Sequence, residues 1–120
     1  MGGLGFRLRP EFRLSGAAQY KRVLTQGARK KSAKAIFDLK LIANGVGGAR
    51  LGYIVPKRLT PAAVQRNRIK RQIREIFRQV RADLPAVDLV VRQIAAVKLM
   101  RRTQILHELS TLFSSITNAQ

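Results

Sequence analysis

"RLGYIVPKRLTPAAVQRNRIKRQIREIF", residues Arg50 to Phe77, decides how this chain folds. With Ala49 before it, the opening run to Val55 reads as a strand. Pro56 ends that strand because proline has no backbone N–H to give a sheet. Thr60 and Pro61 then mark a helix start: an oxygen to cap free amides, and a ring whose fixed φ suits the first helical position. At about 100° per residue, Ile69, Ile73, Ile76, Phe77 and Val80 fall within roughly one third of the helix circumference, which makes that stripe a core face. Asn67, Lys70, Arg71, Arg74, Arg78 and Arg81 cluster opposite, with Arg66 and Arg68 on the flanks. From Arg66 to Arg78 there are six cations and one carboxylate, Glu75. Like-charge pairs such as Lys70/Arg74 and Arg74/Arg78 each cost a few tenths of a kcal/mol on an isolated helix. An ordinary solvated face mixes signs, whereas this one presents a single sign and so points to a polyanion.

Working outward, the central helix runs from about Pro61 to Ala82, where "LPA" breaks it. "VDLVVRQ" then reads as a strand apolar enough to be buried on both faces. A final helix from Thr103 carries Ile105, Leu106, Leu109, Leu112, Phe113 and Ile116 at helical spacing. Upstream, "LSGAAQYKRVLTQG" spaces Ala17, Tyr20, Val23 and Leu24 as a short helix, with Ser15 as N-cap and Gly27 as its stop. "ARKKSAK" reads as a basic linker. In "AIFDLKLIA", Ala35, Phe37, Leu39 and Leu41 alternate with Ile36, Asp38, Lys40 and Ile42, as a half-buried strand does. "NGVGG", Asn44 to Gly48, then predicts a hairpin turn into the strand before Pro56. The order helix, strand, strand, helix, strand, helix is an α+β fold, a small sheet backed by helices.

At 120 residues and 46% hydrophobic, the chain suits one domain with a continuous core. We expect a basic, partly ordered arm over 1–12, a single domain over 13–117 and a short tail over 118–120. The net charge of +18 exceeds what solubility needs and recruits phosphate. Arg outnumbers Lys by 16 to 8, favouring planar, bidentate and stacking contacts. Without cysteine there are no disulfides or thiolate metal sites, and the cytoplasm is the default compartment. The apolar runs are too short and too charged for a membrane span. The start has Phe6 where a myristoylation signal needs Ser or Thr, and no apolar stretch before a cleavage site.

The motif in the opening stretch, R-N-x-x-K-R-x-x-R-E-x-F, is carried by Arg66, Asn67, Lys70, Arg71, Arg74, Glu75 and Phe77, after a strand ending in a V-x-K-R segment. It resembles the protein subunit of bacterial ribonuclease P, and the likeness extends from about Phe12 to Phe113. That resemblance implies an αβββαβα fold with a small, mostly antiparallel sheet and a left-handed βαβ crossover, close to one domain of a ribosomal small-subunit protein. It also implies a protein partner to a catalytic RNA in a ribonucleoprotein endoribonuclease. The complex removes the 5′ leader of precursor tRNA, with Mg2+ bound mainly by the RNA and substrate and no catalytic residue in the protein. By position, Lys57, Arg58, Arg66, Asn67, Arg68, Lys70, Arg71 and Arg74 match the segment that faces the catalytic RNA. Tyr20 and Leu24 match first-helix positions lining a cleft for the single-stranded leader, where Tyr20 offers a stacking platform. Tyr53 and Arg92 are expected to join them, although Tyr53 suits core packing equally well. Leu24 departs from the family's aromatic pattern. "VVRQIAAVKLM" departs from its basic, Gly-containing turn, leaving Arg92 and Lys98 as cations before Arg101 and Arg102.

Catalysis by the protein itself needs placed acids, bases or metal ligands. The six acidic residues are scattered, His107 is the lone histidine and reads as a surface residue, and Asp38 reads as an ion-pair partner. "GVGG" lacks the rest of a phosphate-binding loop. Two other functions compete. A ribosomal-type structural RNA-binding protein or RNA chaperone accounts for the same basicity. A helix-turn-helix DNA reader using Pro61 to Val80 does not, because cations spread along a whole helix suit backbone contact better than base reading.

Overall fold

The computed structural model describes residues 8–97 and 100–117. Its elements in chain order are α1 (Gly16–Gln26), β1 (Ala28–Lys31), β2 (Phe37–Ala43), β3 (Arg50–Ile54), α2 (Ala63–Val80), β4 (Val87–Gln93) and α3 (Arg102–Ser114), with 3-10 turns at Pro10–Phe12 and Arg81–Asp83. The four strands form one sheet in the order β1-β2-β4-β3. β1 with β2 and β2 with β4 are antiparallel, and β3 with β4 is parallel. The fold is therefore α+β with a mostly antiparallel sheet, in the αβββαβα order.

Two expectations from residue pattern fail. "ARKKSAK" is not a linker throughout, since Ala28 to Lys31 form β1, an edge strand paired from Ala28↔Leu41 to Lys31↔Asp38. All four residues are exposed, so no apolar alternation exists to announce it. "NGVGG" does not close a hairpin either, because β4 lies between β2 and β3. Leu89, Val90 and Val91 are fully buried on both faces of the sheet, and only an inner position provides that. The turn instead uses Gly45 in the left-handed region, at φ +69, and Asn44 as a bracket to the carbonyl of Gly48 and the carboxylate of Asp88.

The main core lies on one face of the sheet. Phe37, Leu39, Leu51, Leu89 and Val91 pack against Ile69, Ile73, Ile76 and Phe77 of α2 and Ile105, Leu109, Leu112 and Phe113 of α3. The rings of Phe77 and Phe113 meet with centroids 6.4 Å apart, tilted by 56°. Leu106 falls outside this stripe and is exposed. At about 1.5–3 kcal/mol per buried large side chain, the four anchors of α2 outweigh its like-charge repulsions several-fold. On the opposite face, α1 covers a smaller cluster in which Leu14, Val23 and Val90 are joined by Tyr20, Leu24, Ile42 and Ile54.

α2 begins two residues later than Thr60 and Pro61 predict. The Thr60 hydroxyl is drawn instead to buried Gln93, donating to its Oε1 at 3.0 Å. Arg66 ties the chain before the helix, donating through Nη1 to the carbonyls of Thr60 at 3.1 Å and Pro61 at 2.7 Å. The N-terminal segment is tied to the domain from Leu8, which is buried in the core. Phe12 lies under Arg81, whose Cζ is 3.5 Å from the ring centroid, and Leu14 donates its N–H to Leu51. Residues 1–7 of the expected arm, Lys98 and the tail 118–120 lie outside the described residues.

Two buried aspartates lock the sheet on its α1 side. Asp38 accepts from Arg92, its direct cross-strand partner, at 2.9 and 2.6 Å and from Arg29 at 2.7 Å. Asp88 accepts from its own cross-strand partner Arg50 at 2.7 and 2.8 Å and from Asn44 at 3.0 Å. Burial alone pushes both carboxyls up, but the hydrogen bonds and charges of these partners prevail and hold both below the ordinary 3.8. The stability Asp38 contributes is therefore present above pH 3.8 and lost as pH falls through its lower folded-state value. Asp38→Asn is expected to cost about 1–3 kcal/mol at neutral pH. In thermal melts the gap to the unsubstituted protein should narrow as pH drops below 3.8, and a constant gap contradicts the ion-pair account. Gly52→Ala is a second test, since a Cβ there meets Tyr20 ring atoms at 2.7 and 2.8 Å. We expect a loss of about 1–3 kcal/mol in the same measurement.

Candidate nucleic-acid interface

The side of α2 away from the core carries a shallow groove of about 320 Å³, lined by Val64, Asn67, Arg68, Arg71 and Arg74. These positions recur every three or four residues, so one helix face supplies all of them. Ile69, Ile73, Ile76 and Phe77 anchor the other face, which fixes this side of the helix outward. Lys57 and Arg58 extend the surface from the turn before the helix, where Leu59 and Thr60 both donate backbone N–H groups to Pro56. Lys57, Arg58 and Arg68 are exposed, and with Lys70 they make no ion pair among the described residues.

The cationic face is shorter than the helical wheel implies. Arg78 is neutralised by Glu75 at 2.6 Å. Gln79 donates to that same carboxylate oxygen at 3.1 Å, while Glu75 Oε1 is buried with no partner among the described residues. Arg81 turns away to Phe12 and to the carbonyl of Ala49, and its burial lowers its pKa. Arg66 is engaged at the helix start. The positive surface thus concentrates on Lys57, Arg58, Arg68, Lys70, Arg71 and Arg74, with Asn67 among them. Val64, 65% exposed, adds an apolar spot that charge counting overlooks. Its place one turn before Arg68 is the signal that reveals it.

The residues expected along a leader cleft divide between the two faces of the sheet. Tyr20, Leu24 and Arg92 lie on the α1 side, where the Tyr20 ring rests on Gly52 and half-buried Leu24 packs with Val23 and Val90. Arg92 is held by Asp38, which raises its pKa, yet its side chain remains 30% exposed. Tyr53 points to the other face, against the main core, and its hydroxyl accepts from Arg74 at 2.9 Å. Arg29 and Lys40 also reach the α1 side; Arg29 holds Asp38, and the Lys40 ammonium donates to the Leu24 carbonyl at 2.6 Å. Reading "ARKKSAK" as a linker hid Arg29. A buried strand aspartate in need of cations was the available clue.

His107 is exposed on α3, and Asp38 is an ion-pair partner as expected. Among the described residues no group of three or more His, Cys, Asp or Glu side chains is placed to hold a metal ion. No helix there is long and apolar enough to cross a membrane.

A family model described as Ribonuclease P matches residues 8–117. The ribonuclease P protein component of Chromobacterium violaceum is 32% identical over 115 residues, covering 96% of this chain and 93% of that protein. Among solved structures, the RNase P protein of Staphylococcus aureus superposes with a TM-score of 0.75 at 29% identity, covering 87% of this chain and 94% of that one. The RNase P protein of Thermotoga maritima gives a TM-score of 0.72 at 25% identity, covering 87% and 96%.

If the α2 face meets phosphates, replacing Arg71 and Arg74 together with Ala should reduce the slope of log affinity against log salt by about 1.4 to 1.8. The variant should remain folded, with a melting temperature lowered only modestly by loss of the Arg74–Tyr53 bond. An unchanged slope in a filter-binding titration with structured RNA would show that the contact surface lies elsewhere.

Proposed function

Because this chain belongs to the ribonuclease P protein family, we propose that it is the protein subunit of that ribonucleoprotein enzyme, seating its α2 face on the catalytic RNA and assisting removal of the 5′ leader from precursor tRNA. The observation that carries this reading is a helix with one side fixed in the core and a one-signed groove on the other. Arg68, Arg71 and Arg74 stand there beside Asn67, and Lys57 and Arg58 lie exposed in the turn that precedes the helix. Cations carried on a rigid helix suit phosphate, because little backbone order remains to be imposed on binding.

The leader is assigned to the α1 side of the sheet. Tyr20 and Leu24 offer an apolar ledge there, and Arg92, Arg29 and Lys40 line the adjacent strands. Asp38 keeps Arg92 and Arg29 aimed, and their remaining exposure lets them meet a strand of phosphates. Tyr53, facing α2, is reassigned from the leader to the RNA-facing side. Asp38 and Asp88 are each committed to guanidinium groups and so are poorly suited to a resident divalent cation. In this reading the hydrolytic chemistry belongs to the catalytic RNA and to the magnesium that it and the substrate hold. The protein's part is to bind, orient and neutralise, in a cytoplasmic complex.

The test is reconstitution. Adding the protein to its cognate RNA at low magnesium should stimulate leader removal from precursor tRNA, read by gel as mature 5′ ends. Absence of stimulation, or cleavage by the protein without RNA, defeats the proposal.

A further inference from the structure

Tyr53 sits where three parts of the fold meet. Its backbone N–H donates to the Tyr20 hydroxyl of α1 at 3.3 Å, its ring packs on the main core, and its own hydroxyl accepts from Arg74 Nη1 of α2 at 2.9 Å. The Arg74 Cζ also lies 5.8 Å from the centre of the Tyr53 ring. Arg74 is at the same time a wall of the cationic groove. A guanidinium on a flexible stem gives up rotamer freedom when it meets a phosphate, and a bond that orients it beforehand reduces that loss.

We infer that Tyr53 is a positioning residue, holding the Arg74 guanidinium in the groove through its phenolic oxygen without itself touching RNA. The inference rests on the proposed function, since it takes the α2 groove to be the RNA-facing surface. The hydroxyl accepts one bond from Arg74, through Nη1 alone, so it occupies only one donor of a five-donor fork whose planar geometry suits phosphate oxygens. Tyr20 enters the same arrangement from the other side of the sheet. Its ring fits over Gly52, where a Cβ is not tolerated, and its hydroxyl fixes the backbone of Tyr53. The position of α1 is thereby linked, through two tyrosines on adjacent elements, to the orientation of one arginine on α2.

A double-mutant cycle on the full chain with its cognate RNA separates this role from others. Tyr53→Phe keeps the ring and its packing and removes only the oxygen, so the fold is retained. Affinity for the RNA without precursor tRNA should fall about threefold to tenfold, the range for one ordinary hydrogen bond, because the lost bond orients the arginine and does not itself contact the RNA. In an Arg74→Ala background the same change should have no effect. Undiminished affinity in the single variant overturns the inference, and so does an equal loss in both backgrounds, which would mean that Tyr53 acts on the RNA directly. If Arg74→Ala alone leaves affinity unchanged, the reading of the α2 face fails and the positioning role with it.

Discussion

The burial of β4 on both faces constrains everything else. Leu89, Val90 and Val91 cannot be satisfied at a sheet edge, so β4 enters between β2 and β3 although it follows both in the chain. Its parallel pairing with β3 then requires a crossover, and α2 is that crossover. The helix must lie along the sheet face to bury Ile69, Ile73, Ile76 and Phe77, which leaves its arginine side outward. The position of the cationic groove thus follows from a hydrophobic requirement about ten residues downstream of the helix.

Charge is arranged by the same logic. The chain has six acidic residues against 24 Lys and Arg, and few of the acids screen the surface. Asp38 and Asp88 are buried and hold four arginines between them, counting Arg22 at 3.8 Å. Glu108 is buried on α3, where it accepts the N–H of Lys34. Glu75 quiets the far end of α2, and Glu11 pairs with Arg9. Asp38, Asp88 and Glu108 thus organise the scaffold, Glu75 trims the edge of the basic face, and the groove around Arg68 and Arg71 keeps its sign.

Much of this was legible in the sequence. The α2 stripe and its opposite face follow from helical period alone, and the doubly buried β4 from its near-continuous apolar run. What pattern could not supply is pairing. β1 is too exposed to alternate, so only the family resemblance predicted a third strand before α2. The hairpin inference from "NGVGG" treated adjacent strands as neighbours, a local rule that β4 overrides. The wheel likewise placed Arg78 and Arg81 on the cationic face, whereas Glu75 and Phe12 remove them by contacts no helical projection contains. Tyr53 shows the same limit, since alternation puts it opposite Ile54 but does not say what its hydroxyl meets.

The two rims of the sheet have a consequence for the chain before it finds its RNA. On the β3 rim, the outward carbonyl of Leu51 is taken by Leu14 and the outward N–H of Tyr53 by Tyr20. On the β1 rim the backbone lies open, but its side chains are Arg29, Lys30 and Lys31. One margin is shut by the chain's own atoms and the other repels its copies, so a protein that must await a nucleic-acid scaffold is guarded at both against strand-by-strand growth into aggregates.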